Sequence, residues 1–301
     1  AVTDGAGALA AVRELGRLLA GGAPVERPCP LERNVGILFR RLGAAGWLRL
    51  GAGLLREALR PLELPFLART ARAGPPPRGA AVWRTVRVEV GEGTPLRALC
   101  RSRNGTVNDL LVAALAVLVR RVSARGRVGC FYTADLRRLV DDAPRVANLS
   151  AAISVALPRS CADSLPAALA EVVRRTSRRS AGVTGLAAIL FNLPLILCTP
   201  HGLVRRLTRL VFRLWIRRLA TRGLLVTNIG PLDPWLTSFG GMVRDATFVG
   251  PSVRPLPIPV LTATGFGDAL TIHFNGYEET APALERLAAE LRAIFGEAAR
   301  T

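Results

Sequence analysis

Few side chains in this 301-residue sequence could move a proton, and that scarcity directs attention to amides and arginines. There are two histidines, His201 and His273, and only histidine titrates near neutral pH without a special environment. His273 alternates with Ile272 and Phe274 in a strand-like run, which favours a structural histidine over a base. His201 follows Pro200 and precedes a helical stretch, where capping is its expected use. The five cysteines (Cys29, Cys100, Cys130, Cys161, Cys198) are scattered, odd in number and never in CxxC pairs. Zinc ligation and a disulfide framework are therefore not expected, and a reducing cytoplasm is the expected compartment. No Ser-His-Asp order or Gly-rich phosphate loop is present, and Gly5-Ala6-Gly7 lacks the strand a dinucleotide fingerprint needs. Other polar residues punctuate the predicted elements: Asn108-Asp109 before an apolar run, Asp135 with Arg137-Arg138 in a loop that runs on to Asn148 and Ser150, and Asn228 with Gly230 at a strand exit. Each also has a plain reading: early-helix polar residues, solvated loop arginines, a strand-end cap and turn chemistry, respectively.

The elements that must position these groups follow from hydrophobic periodicity. Asp4 to Ala20 reads as a helix with Asp4 at its dipole-favoured start and Gly21-Gly22 at its stop. Residues 23–82 are Pro-, Gly- and Arg-rich, with one loosely amphipathic patch at Leu38–Leu59, and read as a crossover or lid. A half-buried strand around Val86, Val88 and Val90 follows, then a short helix from Thr94-Pro95 to Arg103. Thr106 is placed to cap the apolar helix Val107–Val122. Val128–Thr133 and Ala151–Leu157 read as buried strands, Cys161–Ser177 and Leu203–Thr221 as helices. Leu224–Asn228, Gly240–Val249, Ile258–Thr264 and Ala269–Asn275 read as strands, with a turn at Gly265–Asp268 and a closing helix Thr280–Phe295. The order predicts an α/β or α+β two-layer sandwich with a mixed sheet.

Composition sets limits on partners. Lys+Arg number 41 against 22 Asp+Glu, a net charge of +19 and pI ≈ 11.6, yet the sequence holds no lysine. An all-arginine excess beside abundant Ala, Gly, Leu, Val and Pro fits a GC-rich coding bias better than selection for phosphate contacts. Aromatics are 5%, too few for base-stacking platforms, so no specific nucleic-acid partner is expected. The stretch 203–221 carries Arg205, Arg209, Arg213 and Arg217 at steps of four. It suits either packing on the sheet or peripheral contact with an anionic membrane surface. The uncharged run Ser180–Val204 is too interrupted to span a membrane. The chain opens at Ala1 and its single methionine is Met242, which predicts a processed form or a piece of a longer protein.

Several short motifs, in order, carry a resemblance. Ala1-Val2-Thr3-Asp4-Gly5, running into a helix, resembles the end of an HHxxxDG motif. Thr106-Val107-Asn108-Asp109-Leu110-Leu111 before an alanine-rich helix, Asp135-Leu136-Arg137-Arg138, and Arg145 to Ser150 with Ala147 in place of a glycine resemble later motifs. Thr227-Asn228-Ile229-Gly230, Phe239-Gly240 and Asp268–Phe274 complete the series. Together they resemble the condensation-domain and chloramphenicol-acetyltransferase-like superfamily, in its stand-alone condensation or wax ester synthase/diacylglycerol acyltransferase forms. The resemblance implies a chloramphenicol-acetyltransferase-like fold: residues 1–22 end a first subdomain, 23–82 cross over, and 83–301 form the second. It implies acyl transfer from a thioester of coenzyme A or of a phosphopantetheine arm on an acyl carrier protein to a hydroxyl or amine acceptor. The motif's second histidine would act as general base, with no tightly bound cofactor. The two motif histidines would fall just before Ala1, so this chain is expected to be inactive. Asp4 is then the structural acid of the loop and Gly5 the close-approach residue. Asn108, Asp109, Asp135, Arg137, Arg138, Asn148, Ser150, Asn228 and Gly230 are positioning or substrate-contacting candidates. An amide-forming condensation domain and a non-catalytic scaffold of the same fold are the alternatives.

Overall fold

In the computed structural model, residues 5–23, 44–59, 78–122, 128–135, 150–176, 223–251 and 260–300 are described. Two helices, α1 (Gly5–Leu19) and α2 (Ala44–Leu59), precede the sheet. α2 falls inside the stretch read as crossover; its Leu50 is fully buried, whereas Trp47, Leu48 and Leu55 are exposed. The remainder alternates: β1 (Ala81–Glu89), α3 (Pro95–Ser102), α4 (Val107–Val122), β2 (Val128–Asp135), β3 (Ser150–Leu157), α5 (Leu165–Thr176), β4 (Gly223–Pro231), β5 (Val260–Phe266), β6 (Ala269–Tyr277) and α6 (Ala281–Ala298).

The strands form one six-stranded mixed sheet in the order β1-β6-β5-β4-β2-β3. β2, β4 and β5 run parallel at its centre; β1, β6 and β3 are antiparallel to their neighbours. Helices α4, α5 and α6 cover one face, the α/β two-layer arrangement that the element order predicts. α4 explains why. Its residues Asp109 through Val119 are all buried, so a helix apolar around its whole circumference must sit between the sheet and other helices. Thr106 caps it as expected: its Oγ1 accepts the Asp109 N–H at 3.1 Å, and the Asp109 carboxylate accepts the Thr106 N–H at 2.9 Å.

Three expectations need correction. The helix read from Cys161 starts at Leu165, because Arg159–Ala162 is a 3₁₀ turn and Pro166 belongs in a first helical turn. The turn at Gly265–Asp268 narrows to Gly267-Asp268, with Gly265 and Phe266 ending β5 and Gly267 at φ +55 supplying the hairpin's left-handed residue. The strand read at Gly240–Val249 is absent: 237–242 is a 3₁₀ turn broken at Gly240 (φ 61), and 243–251 joins no ladder. Its side chains bond to the sheet face beneath it instead of its backbone pairing with an edge. The expected helix Leu203–Thr221 and the Ser180–Val204 run lie outside the described residues. No described helix is long and apolar enough to cross a membrane.

Candidate functional site

Ligands of open sheets with parallel strands sit beyond the carboxyl ends of those strands. At that end, Asp135 closes β2 opposite Ser150, the first residue of antiparallel β3, and Asn228 to Gly230 lie near the end of β4. The amino end of α4 reaches the same place: Asn228 Nδ2 donates to Asn108 Oδ1 at 3.1 Å, across 120 residues of sequence. Six of the candidates named from sequence are therefore on the described part of this end. Asp4, Arg137, Arg138 and Asn148 lie outside the described residues.

Local chemistry sets the shape. Asn228 Oδ1 accepts the Gly230 N–H at 2.9 Å, folding the strand end back on itself, and Gly230 adopts φ +84, a conformation that a Cβ disfavours. Against β5, Asn228 pairs with Ala263 but Gly230 with Thr264, so Ile229 is an extra residue in a β-bulge. One asparagine is thus fixed on both sides of its amide. Among the described residues the Asn108 Nδ2 donors have no partner, and Asn108 is half-buried. Asp109 is spent elsewhere. Its carboxylate accepts from Thr106 Oγ1 at 2.7 Å and from Thr176 Oγ1 at 3.0 Å, tying the start of α4 to the end of α5. An acid in the first turn also offsets the positive end of the α4 dipole. The described residues of this end therefore present a fixed amide pair, with the Asn108 Nδ2 donors left over.

Gly5 opens α1, which packs on the segment leaving β4. Ser238 Oγ donates to the Arg13 carbonyl at 3.1 Å, and a Cβ on Gly16 would come within 2.5 Å of Phe239 and Ser238. Glycine there permits the close approach that brings the helix to this side of the sheet.

His273 lies elsewhere, on the sheet face away from the helices. It is 3% exposed, more buried than its alternating neighbours imply. Its Nδ1 is 3.0 Å from Thr85 Oγ1 and its Nε2 2.6 Å from Thr247 Oγ1, and burial pushes its pKa below the usual value. Thr85 and Thr247 carried no sequence signal, since threonines that meet only across a sheet have no characteristic spacing. Two buried thiols are free and quiet: burial raises Cys100 and pushes Cys130 up to about 12, leaving no nucleophilic thiolate at either. No group of three or more potential metal ligands occurs among the described residues.

No protein-family model matches the sequence, and no curated protein matches it significantly. Solved structures do. The epimerization domain from the third module of tyrocidine synthetase B superposes at TM-score 0.57 with 15% identity, over 100% of this chain and 68% of its own. The trichothecene 15-O-acetyltransferase of Fusarium sporotrichioides gives TM-score 0.61 at 14% identity, over 97% of this chain and 64% of its own. The first condensation domain of the CDA synthetase gives TM-score 0.56 at 16% identity, over 99% and 62%. The chain spans roughly two thirds of the length of each of these proteins. It has the fold that these epimerization, condensation and acetyltransferase structures share.

Proposed function

We propose that this chain is part of a thioester-dependent acyltransferase, with the donor on coenzyme A or a carrier protein's phosphopantetheine arm and a hydroxyl or amine as acceptor. The observation that supports this best is likeness, over nearly the whole chain, both to an acetyltransferase and to a condensation domain. Residues 1–22 would end a first subdomain, 23–82 cross over and 83–301 build the second. In this reading Asn108, Asn228 and Gly230 shape the wall of the acyl site, and Asp109 holds α4 in place. Asp135 and Ser150, facing each other in register at the same sheet end, belong to that wall. Arg137, Arg138 and Asn148 supply its polar rim, and Asp4 and Gly5 the loop of the base. The segment 203–221 is the candidate for contact with an anionic membrane.

The proton-accepting histidine that such chemistry needs stands beside the motif aspartate, and neither His201 nor His273 is near Asp4 in sequence. We therefore expect residues 1–301, assayed by themselves, to bind donor without sustained turnover. Calorimetric titration with coenzyme A, acetyl-CoA and phosphopantetheine tests donor recognition. Release of thiol in the presence of alcohols and amines tests turnover. Saturable donor binding with no more than one equivalent of thiol released is the expected result. Absence of binding by all three ligands removes the donor assignment, and continuous thiol release removes the inactivity.

A further inference from the structure

On the sheet face away from the helices, one place among the described residues joins the hydroxyl of an exposed residue to a buried imidazole. Thr247 is exposed and lies in 243–251, the segment that crosses the polar sheet face without entering a ladder. Its Oγ1 is 2.6 Å from His273 Nε2 and 3.2 Å from Thr264 Oγ1. The other ring nitrogen, Nδ1, is 3.0 Å from Thr85 Oγ1. When Nδ1 donates to Thr85, Nε2 carries the lone pair and the Thr247 hydroxyl donates to it. Thr264 can then donate to the Thr247 oxygen, completing one directed chain. Nucleophile, base within hydrogen-bond reach and a third group orienting the base are the elements of an activated hydroxyl. Burial lowers the His273 pKa, which keeps the ring in its neutral, proton-accepting form at neutral pH.

The surrounding backbone adds the complementary feature. Ala246 N–H is held by the Asp245 carboxylate at 3.0 Å and Gly250 N–H by Thr262 Oγ1 at 2.9 Å. Between them, the N–H groups of Thr247, Phe248 and Val249 make no hydrogen bond among the described residues. Asp245 is in turn paired with Arg87 of β1 at 2.9 Å, so the segment is pinned at both ends. Unpaired N–H groups within two residues of a nucleophile are available to bond a developing oxyanion. Thr264, though in the same chain of bonds, is 1% exposed and out of reach of a substrate.

We propose that Thr247 is an acyl-acceptor site, O-acylated once per chain by a thioester with His273 as general base; this rests on the thioester reading above. The Thr247 oxygen bonds to the thioester carbonyl carbon while His273 Nε2 takes the hydroxyl proton. The carbon–sulfur bond then breaks, and the imidazolium returns the proton to the departing sulfur. The products are a Thr247 ester and one free thiol, with no oxidant or further reactant.

The test incubates the full chain with acetyl-CoA and, separately, with S-acetyl-N-acetylcysteamine, a small thioester that needs no coenzyme A site. Intact mass and peptide mapping read the outcome. One acetyl group on Thr247 is expected, retained in Thr247→Ser and abolished in the near-isosteric Thr247→Val. His273→Gln should slow its formation about a hundred-fold. Should that variant unfold, Thr85→Val, which removes the orienting acceptor, should slow it as well. No adduct from either donor, an adduct at another residue, or an unchanged rate in a folded His273→Gln overturns the proposal. Donor binding without an adduct defeats this inference alone, whereas an adduct from the small thioester without coenzyme A binding defeats the coenzyme A reading alone.

Discussion

The two faces of the β5–β6 ribbon alternate along the same strands, yet they are covered by different means. Toward the helices stand Leu261, Ala263, Leu270, Ile272 and Phe274, packed into the core with α4, α5 and α6. Toward the other side stand Thr262, Thr264, Thr271, His273 and Asn275, equally buried but polar. The first face is held by area, which is indifferent to direction. The second is held by directed bonds to a strap of irregular chain. Thr262 Oγ1 alone accepts from Gly250 N–H and from Asn275 Nδ2, both at 2.9 Å. Even so, Asn275 Oδ1 is buried without a partner among the described residues. A sheet can therefore bury a polar face, but each unmatched atom there costs about as much as a whole bond contributes.

This contrast orders the effects of substitution. Phe274 is fully buried and among the largest such side chains, so Phe274→Ala should destabilise the chain by about 3–5 kcal/mol in urea unfolding. Thr262→Val keeps the volume and removes one acceptor, stranding two N–H donors. A loss of about 1–3 kcal/mol is expected, with protection from hydrogen exchange falling first at Gly250. A Thr262→Val cost equal to that of Phe274→Ala would mean that the strap, not the helical core, dominates the sheet. No measurable cost would mean that water already satisfies that face.

The same contrast explains what could be read from sequence. Helix α4 matches its expected bounds, Val107–Val122, because its apolar residues, its cap and its first-turn acid all agree. Asn108, Asn228 and Gly230 were visible as a motif series, but only the fold reveals that a side-chain hydrogen bond joins Asn228 to Asn108 across 120 residues. β6 was legible as a strand and misleading as a surface. Alternation of Thr271, His273 and Asn275 with apolar residues suggests a wet face, yet all nine residues of the strand are buried. The run from Val243 to Val249 has strand-like composition, but its Asp245 and Thr247 are committed to Arg87 and His273. Propensity records what a segment could pair with, not that its side chains have been claimed by a face.

Acid should separate the two faces again, with His273 titrating on one and Glu171 the most strongly shifted carboxylate on the other. On the strap side, His273 has a pKa below the ordinary 6.5 because burial penalises its charged form. The unfolded chain therefore takes up the proton first. Stability is unaffected above about pH 6.5 and declines as pH falls below it. His273→Gln should flatten that part of a stability–pH curve measured by urea unfolding. A slope unchanged in the variant would show that another group titrates there.

The helix side responds later and least, through Glu171 on α5. Its carboxylate accepts from Arg174 Nη2 and from Arg175 Nε, both at 2.6 Å, and Arg175 Nη1 reaches the Ala156 carbonyl of β3 at 2.5 Å. These bonds, with that from Arg174 foremost, hold the Glu171 pKa near 2 instead of its ordinary 4.5. A carboxylate with a depressed folded-state pKa contributes stability that is fully present above about pH 4.5 and is lost as pH falls toward about 2. Arg174 is half exposed, so water screens part of its attraction and the contribution stays small. Glu171→Gln should leave stability at neutral pH slightly reduced and remove the steepest part of the loss between pH 4.5 and 2. Above about pH 4.5 the effect must leave untouched the decline that begins near pH 6.5 and belongs to His273. If Glu171→Gln also shifts that upper range, the two faces are coupled through the sheet and are not independent layers of one fold.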